Sequence, residues 1–139
     1  MSAILVCDTG VVFAALDTTD SDHASCRGLL GSGESLVTLP APVIVEVGWL
    51  TRSRGRPHAL DLLLGSVEDG SVLVVNLDSE DYRRVRSLIR TYSDLPLDLV
   101  DAAVIAIAER LEQTTVATLD RRHFSVVRPA HAPAFELVP

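Results

Sequence analysis

Four carboxylates in this chain stand where charge is costly. Asp8 is the only charged residue between Ala3 and Leu16. Glu46 is the sole charge in the run from Pro40 to Leu50, and on a helix it shares a face with Val43, Val47 and Leu50. That face is expected to point into the core. Asp101, one turn after Asp98, is embedded in the apolar stretch from Leu95 to Ala108 and aligns with Val104, Ile105 and Ala108. Asp120 closes the apolar run that starts at Thr114. An ionised carboxylate in such surroundings costs on the order of several kcal/mol unless it is hydrogen-bonded or matched by a cation. Too few basic residues lie nearby to pair with all of them.

Several carboxylates gathered in one place repel one another, and a hard divalent cation is the simplest remedy. Mg²⁺ or Mn²⁺ takes oxygen ligands and retains water, which suits an acid-only cluster. Zinc has no ligand set here: Cys7 and Cys26 form no C-x-x-C pair, and His23, His58 and His131 have no partners at ligand spacing. Each acid also has a structural reading. Asp8, Asp98 and Asp120 precede a helix or turn, where a carboxylate caps free N–H groups; Asp98 is assigned to capping alone. Glu46 resists that explanation because it sits mid-helix on an apolar face. His123, three residues after Asp120, reads either as a phosphate contact or, by preference, as a surface or packing residue, Cys7 as a small core residue, and Thr9 and Thr118 either as orienting groups for water or as ordinary turn and strand positions. Arg83, Arg84, Arg86 and Arg90 read as a solvated helix face. Gly31-Ser32-Gly33 is a turn without the strand and helix that would make it a phosphate cradle.

The elements that must hold these acids follow from the apolar periodicity. Residues 3–7 read as a strand, then a turn and a helix through Leu16. Asp20-Ser21-Asp22 offers an N-cap for a helix over about 23–30, which Gly31 stops. Residues 36–39 form a second strand; Pro40 and Pro42 open a helix running to about Ser53. Pro57 opens another, closed near Gly70, and residues 72–75 are a third strand. An amphipathic helix starts at Ser79. Asp98 or a neighbour caps an apolar helix ending near Leu111, and residues 115–119 and 135–138 complete the strands. Helices alternating with short, continuously apolar strands indicate a parallel α/β sheet covered on both faces. Three of the acids fall at or just after a strand's carboxyl end or in a helix's opening turn, and the fourth on a helix that follows a strand. Such positions converge on the crevice where open α/β sheets bind ligands.

The 139 residues leave room for one domain, and an apolar share of 47% with only six aromatic residues suits short buried strands between helices. The net charge of −7 argues against a broad nucleic-acid-binding basic surface. All twelve basic residues are Arg. The lack of lysine excludes Schiff-base chemistry and a P-loop, and confines any phosphate contact to local guanidinium groups. Two cysteines without a disulfide framework fit the cytoplasm; the apolar run ended by Asp8 is too short for a signal peptide, and no stretch reaches the length of a membrane span.

Asp8-Thr9 after the first strand, Val43-Ile44-Val45-Glu46, the segment from Leu99 through Asp101 to Ala106, and the segment Thr118-Leu119-Asp120-Arg121-Arg122-His123-Phe124 together resemble, in order and spacing, the motifs of PIN-domain nucleases, specifically the VapC-like toxins of bacterial type II toxin–antitoxin pairs. The resemblance spans nearly the whole chain. It implies a PIN-like three-layer α/β/α sandwich over residues 1–139, with a central, mainly parallel sheet of four to five strands. It also implies a Mg²⁺- or Mn²⁺-dependent endoribonuclease, a homodimer, an RNA substrate and a cognate antitoxin whose tail occupies or blocks the acidic pocket. Carried over, it assigns Asp8, Glu46 and Asp101 as core metal-binding acids and Asp120 as the fourth. The chain departs from the pattern at Gly10, where Ser or Thr is common, and at His123, where many relatives have another acid.

The mechanism expected is metal-assisted phosphodiester hydrolysis, with the cation held by Asp8 and Asp101 and with Glu46 and Asp120 acting directly or through water. Glu46 is one candidate to accept the water's proton, and the choice among the acids stays open. Arg121 and Arg122 are candidates for phosphate contact or are plain surface residues. Two competing readings are a dehalogenase-like phosphatase and a non-catalytic module holding an Arg-rich partner. The first expects a second Asp two residues after Asp8 and a later lysine, both missing; the second leaves four retained acids without a purpose.

Overall fold

The computed structural model describes residues 3–139. Five strands form one parallel sheet in the order β3-β2-β1-β4-β5: β1 Ala3–Cys7, β2 Ser35–Pro40, β3 Val72–Val75, β4 Thr115–Ala117 and β5 Glu136–Val138. The first strand is therefore central, with Leu5 opposite Val37 on one side and Val6 opposite Val116 on the other. From β1 the chain works outward to β3, then returns across the sheet to β4. Right-handed crossovers place the connections of these two directions on opposite faces. Accordingly α1 (Thr9–Leu16), α2 (His23–Gly31), α3 (Ala41–Ser53) and α4 (Pro57–Glu68) pack among themselves, while α5 (Ser79–Thr91) packs against α6 (Leu99–Arg110). A short α7, Arg121–Phe124, links β4 toward β5.

The core lies where α6 crosses the sheet centre. Every side chain from Ala102 to Ala108 is buried, which explains why this helix is apolar on all sides, and its alanines allow close approach to β1 and β2. Its carboxyl end is tied down by ion pairs. Arg84 makes a two-pronged bond to Glu109 at 2.7 and 2.9 Å, and Arg110 joins Asp81 at 2.8 Å and the carbonyl of Asn76 at 2.9 Å. Asp81 is itself half of a capping box with Asp78 at the start of α5.

Several expectations shift. The fourth strand ends at Ala117, not Leu119, because the chain turns there to bring Thr118 and Asp120 toward β1. The last strand begins at Glu136; Phe135 is a core residue just outside it. Asp22 occupies the N-cap position of α2 without a side-chain cap bond; Asp20 instead accepts from the Asp22 backbone at 2.8 Å. Arg84 leaves the solvated row formed by its neighbours to meet Glu109.

Candidate active site

The strand order reverses between β1 and β4, and open α/β sheets form their ligand crevice beyond the carboxyl ends of strands at such a reversal. Asp8 directly follows β1, Thr118 and Asp120 follow β4, Asp101 lies in the first turn of α6, and Glu46 lies on α3 after β2. All four expected acids thus reach the same edge of the sheet. Their charges are near enough to repel: Glu46 and Asp120 push the Asp8 pKa up, and Asp8 and Asp120 push that of Asp101 up.

Asp8 is the most enclosed, with 7% of its surface exposed. One carboxylate oxygen accepts from the Thr9 backbone at 2.8 Å, which caps α1, and the other accepts from Thr118 Oγ1 at 3.0 Å. The capping and functional readings of Asp8 are therefore compatible, since each oxygen keeps a lone pair. Burial pushes its pKa from 3.8 to about 6, with Glu46 and Asp120 adding repulsion and the two hydrogen bonds opposing the rise. Asp101 rises to about 7, first through desolvation, then through the negative charges of Asp98, Asp8 and Asp120. It also closes a capping box: Asp101 N donates to Asp98 Oδ1 at 2.8 Å, and Asp98 N donates weakly to Asp101 Oδ2 at 3.4 Å. Asp98 is the cap anticipated for it.

Glu46 corrects the expectation of a core-facing acid. Val43 and Val47 are buried, but Glu46 is half-buried and lines an open groove of about 800 Å³ with Trp49, Leu77, Tyr82 and Leu99. The helix turns its acid to the border between core and solvent. Among the described residues, Asp8, Glu46 and Asp101 form no ion pair with any Arg or His.

Thr118 emerges as a connector. It donates to Asp8 while accepting the backbone N–H of Asp120 at 3.0 Å, linking acids on neighbouring strands. Asp120 caps α7 by accepting from His123 N at 3.0 Å, and its second oxygen hydrogen-bonds His123 Nδ1. This bond raises the imidazole's affinity for a proton. His123 is therefore part of the cluster and not a plain packing residue: one ligand atom each from Asp101, Asp120 and His123 lies within 4.8 Å of the others. Its three-residue offset from Asp120 was the available signal, since that spacing returns a side chain to the cap of a helical turn. Arg121 turns elsewhere, donating to the Pro139 carbonyl at 2.6 Å, while Arg122 is close enough to influence His123.

The donor set fits a hard or borderline divalent cation. Among the described residues, the Asp8, Glu46 and Asp101 carboxylates at the crevice have no ion-pair partner, and the buried Thr9 Oγ1 and His123 Nε2 have no hydrogen-bond partner.

Residues 5–128 match the PIN domain family. The chain belongs to that family. This PIN domain is similar to Ribonuclease VapC26 of Mycobacterium tuberculosis, at 27% identity over 135 residues, covering 97% of this chain and 100% of that protein. Its fold resembles that of M. tuberculosis VapC20, a sarcin-ricin loop cleaving toxin, with a TM-score of 0.77 at 16% identity over 84% of this chain and 90% of the other. A toxin–antitoxin complex from Klebsiella pneumoniae gives a TM-score of 0.67 at 15% identity, covering 95% of this PIN domain and 99% of the matched chain. The expected PIN architecture and VapC likeness are thereby met, with all five strands parallel.

Proposed function

We propose that this chain is a Mg²⁺- or Mn²⁺-dependent endoribonuclease acting as the toxin of a toxin–antitoxin pair. The supporting observation is the buried, counterion-free Asp8 at the strand-order reversal, close enough to Asp101, Asp120 and Glu46 for their charges to act on one another. Capping of α1 accounts for Asp8 alone and not for the gathering of further acids around it; a cation accounts for both. Asp8 and Asp101 would hold it, with Asp120 and Glu46 acting directly or through water. A bound divalent cation supplies phosphate charge neutralisation and a water of lowered pKa. Thr118 holds Asp8 and the Asp120 backbone in fixed relation, so that two ligands arrive pre-positioned. Glu46, on the lining of the open groove, is our candidate to accept the water's proton. Arg122, beside His123, is the stronger of the two arginine candidates for a phosphate contact, because Arg121 is engaged with Pro139.

The VapC likeness supports an RNA substrate and an antitoxin that covers the acids, and a cytoplasmic homodimer is the form proposed. No helix among the described residues is long and apolar enough to cross a membrane. Structured RNAs incubated with the purified protein in Mg²⁺ or Mn²⁺ are expected to be cut, and Asp8→Asn and Asp101→Asn variants are expected to leave them intact. Cleavage in excess chelator, or equal cleavage by the variants, overturns the mechanism. Growth arrest on expression, relieved by the product of a neighbouring gene, tests the toxin assignment separately.

A further inference from the structure

We infer that the open groove between α3, α5 and the start of α6 seats a second copy of this chain, related by a half turn, with the arginines of each copy against the acids of the other. The inference rests on the homodimer of the reading above and deepens it by giving that dimer a face. α3 is apolar on two sides. Val43 and Val47 are buried in the core, while Val45 and Trp49, one helical turn apart on another side, are 74% and 67% exposed. Tyr82 of α5 and Leu99 of α6, which line the same groove, are 57% and 50% exposed. A contiguous exposed apolar surface that holds a tryptophan and a tyrosine marks a contact site.

Charge decides the occupant. Tyr82 also lines a neighbouring hollow with Arg83, Arg86 and Arg90, and among the described residues Arg86 and Arg90 form no ion pair. Toward α3 and α6 the charge is negative: Glu46 lines the groove, and the exposed Asp98 precedes Leu99. A surface that runs from basic through apolar to acidic is complementary to itself under a two-fold axis, as an isologous contact requires. A nucleic-acid strand laid along the same groove meets like charge at Glu46 and Asp98. The net charge of −7 repels a second copy from most directions and leaves the arginine row as a favourable approach.

Trp49 is the single tryptophan of the chain, so its emission reports on this face alone. The whole purified chain, in chelator and without RNA, is expected to sediment as a dimer. Dilution is expected to shift the Trp49 emission to the red, with the same midpoint as the fall in mass. Val45→Glu and Trp49→Glu, both at exposed positions, are each expected to raise the dimer dissociation constant by about 30-fold or more. Arg86→Gln combined with Arg90→Gln is expected to weaken the dimer and to flatten its loss with added salt. Circular dichroism melts of each variant verify that the fold is retained. A dimer whose Trp49 emission is unchanged on dilution overturns the inference and leaves the homodimer standing on another face. A monomeric parent overturns both, and RNA cleavage by that monomer still upholds the ribonuclease reading; a monomer whose Trp49 emission changes on adding RNA hands the groove to the substrate. Dimerisation of the Gln pair equal to the parent's at every salt concentration overturns the charge-matched arrangement.

Discussion

Replacing Asp8 by Asn is expected to make the metal-free protein more stable while removing its cation site. Asp8 has a pKa near 6 in the fold against 3.8 for an ordinary aspartate. Between those values the native chain keeps a proton that the unfolded chain has lost, so stability falls as pH rises through the window and the loss is complete above about 6. The gap of roughly two units corresponds to about 3 kcal/mol at 1.36 kcal/mol per unit, an upper figure. Asn retains the cap on Thr9 and is as good an N-cap as Asp. The amide then faces Thr118, whose hydroxyl must turn to accept, which reduces the gain to about 1–2 kcal/mol. Urea denaturation in chelator at pH 8 is expected to give the Asn variant a midpoint higher by about 0.5–1 M. At pH 5, inside that window, about half of the penalty is gone, and the gap between the two midpoints is expected to shrink accordingly. Saturating Mn²⁺ at pH 8 is expected to stabilise the parent and not the variant, since only the parent's folded state binds the ion. A variant less stable than the parent in chelator, or a gap of equal size at both pH values, refutes the reasoning.

Thr118→Val is expected to cost about 1–2 kcal/mol, because it removes a donor to Asp8 and an acceptor for Asp120 N. It is also expected to move the pH midpoint of Mn²⁺ binding upward, since the lost hydrogen bond had lowered the Asp8 pKa; thermal melts and titrations at several pH values read both. Glu46→Gln is expected to leave the unfolding free energy from urea titrations within about 0.5 kcal/mol of the parent, while cutting the RNA cleavage rate by about 100-fold or more if Glu46 takes the water's proton. Glu109→Ala strands the Arg84 guanidinium against α6 and is expected to cost about 2–4 kcal/mol, seen as a lower unfolding temperature.

What could be read from the sequence divides along a physical line. Asp8, Glu46 and Asp101 stood out because a charge inside an apolar run needs a reason, and that reason is local. The helix boundaries at Pro57 and Ser79 followed from fixed backbone preferences and capping. The reversal of strand order, which puts Asp120 beside Asp8, is set by crossovers spanning most of the chain and leaves no local trace. Thr118 was ambiguous for the same reason: its donation to Asp8 joins residues 110 positions apart. Arg84 was misplaced because helical periodicity on α5 cannot report that Glu109 waits at the end of α6. His123 was underrated because its value depends on the acids around it, and those meet only in the folded chain.

The central position of the first strand sets a clock. Asp8 is among the earliest residues synthesised, yet its carboxylate is oriented by Thr118, and Thr118 N is anchored in turn to the carbonyl of Val138 at 2.9 Å. Contacts of such long sequence separation form late. During its own translation the nascent polypeptide therefore carries all four acids without the framework that unites them. The acid cluster is therefore complete only once the fifth strand has emerged, so the activity proposed for it would begin after the last residues of this sequence are in place and not before.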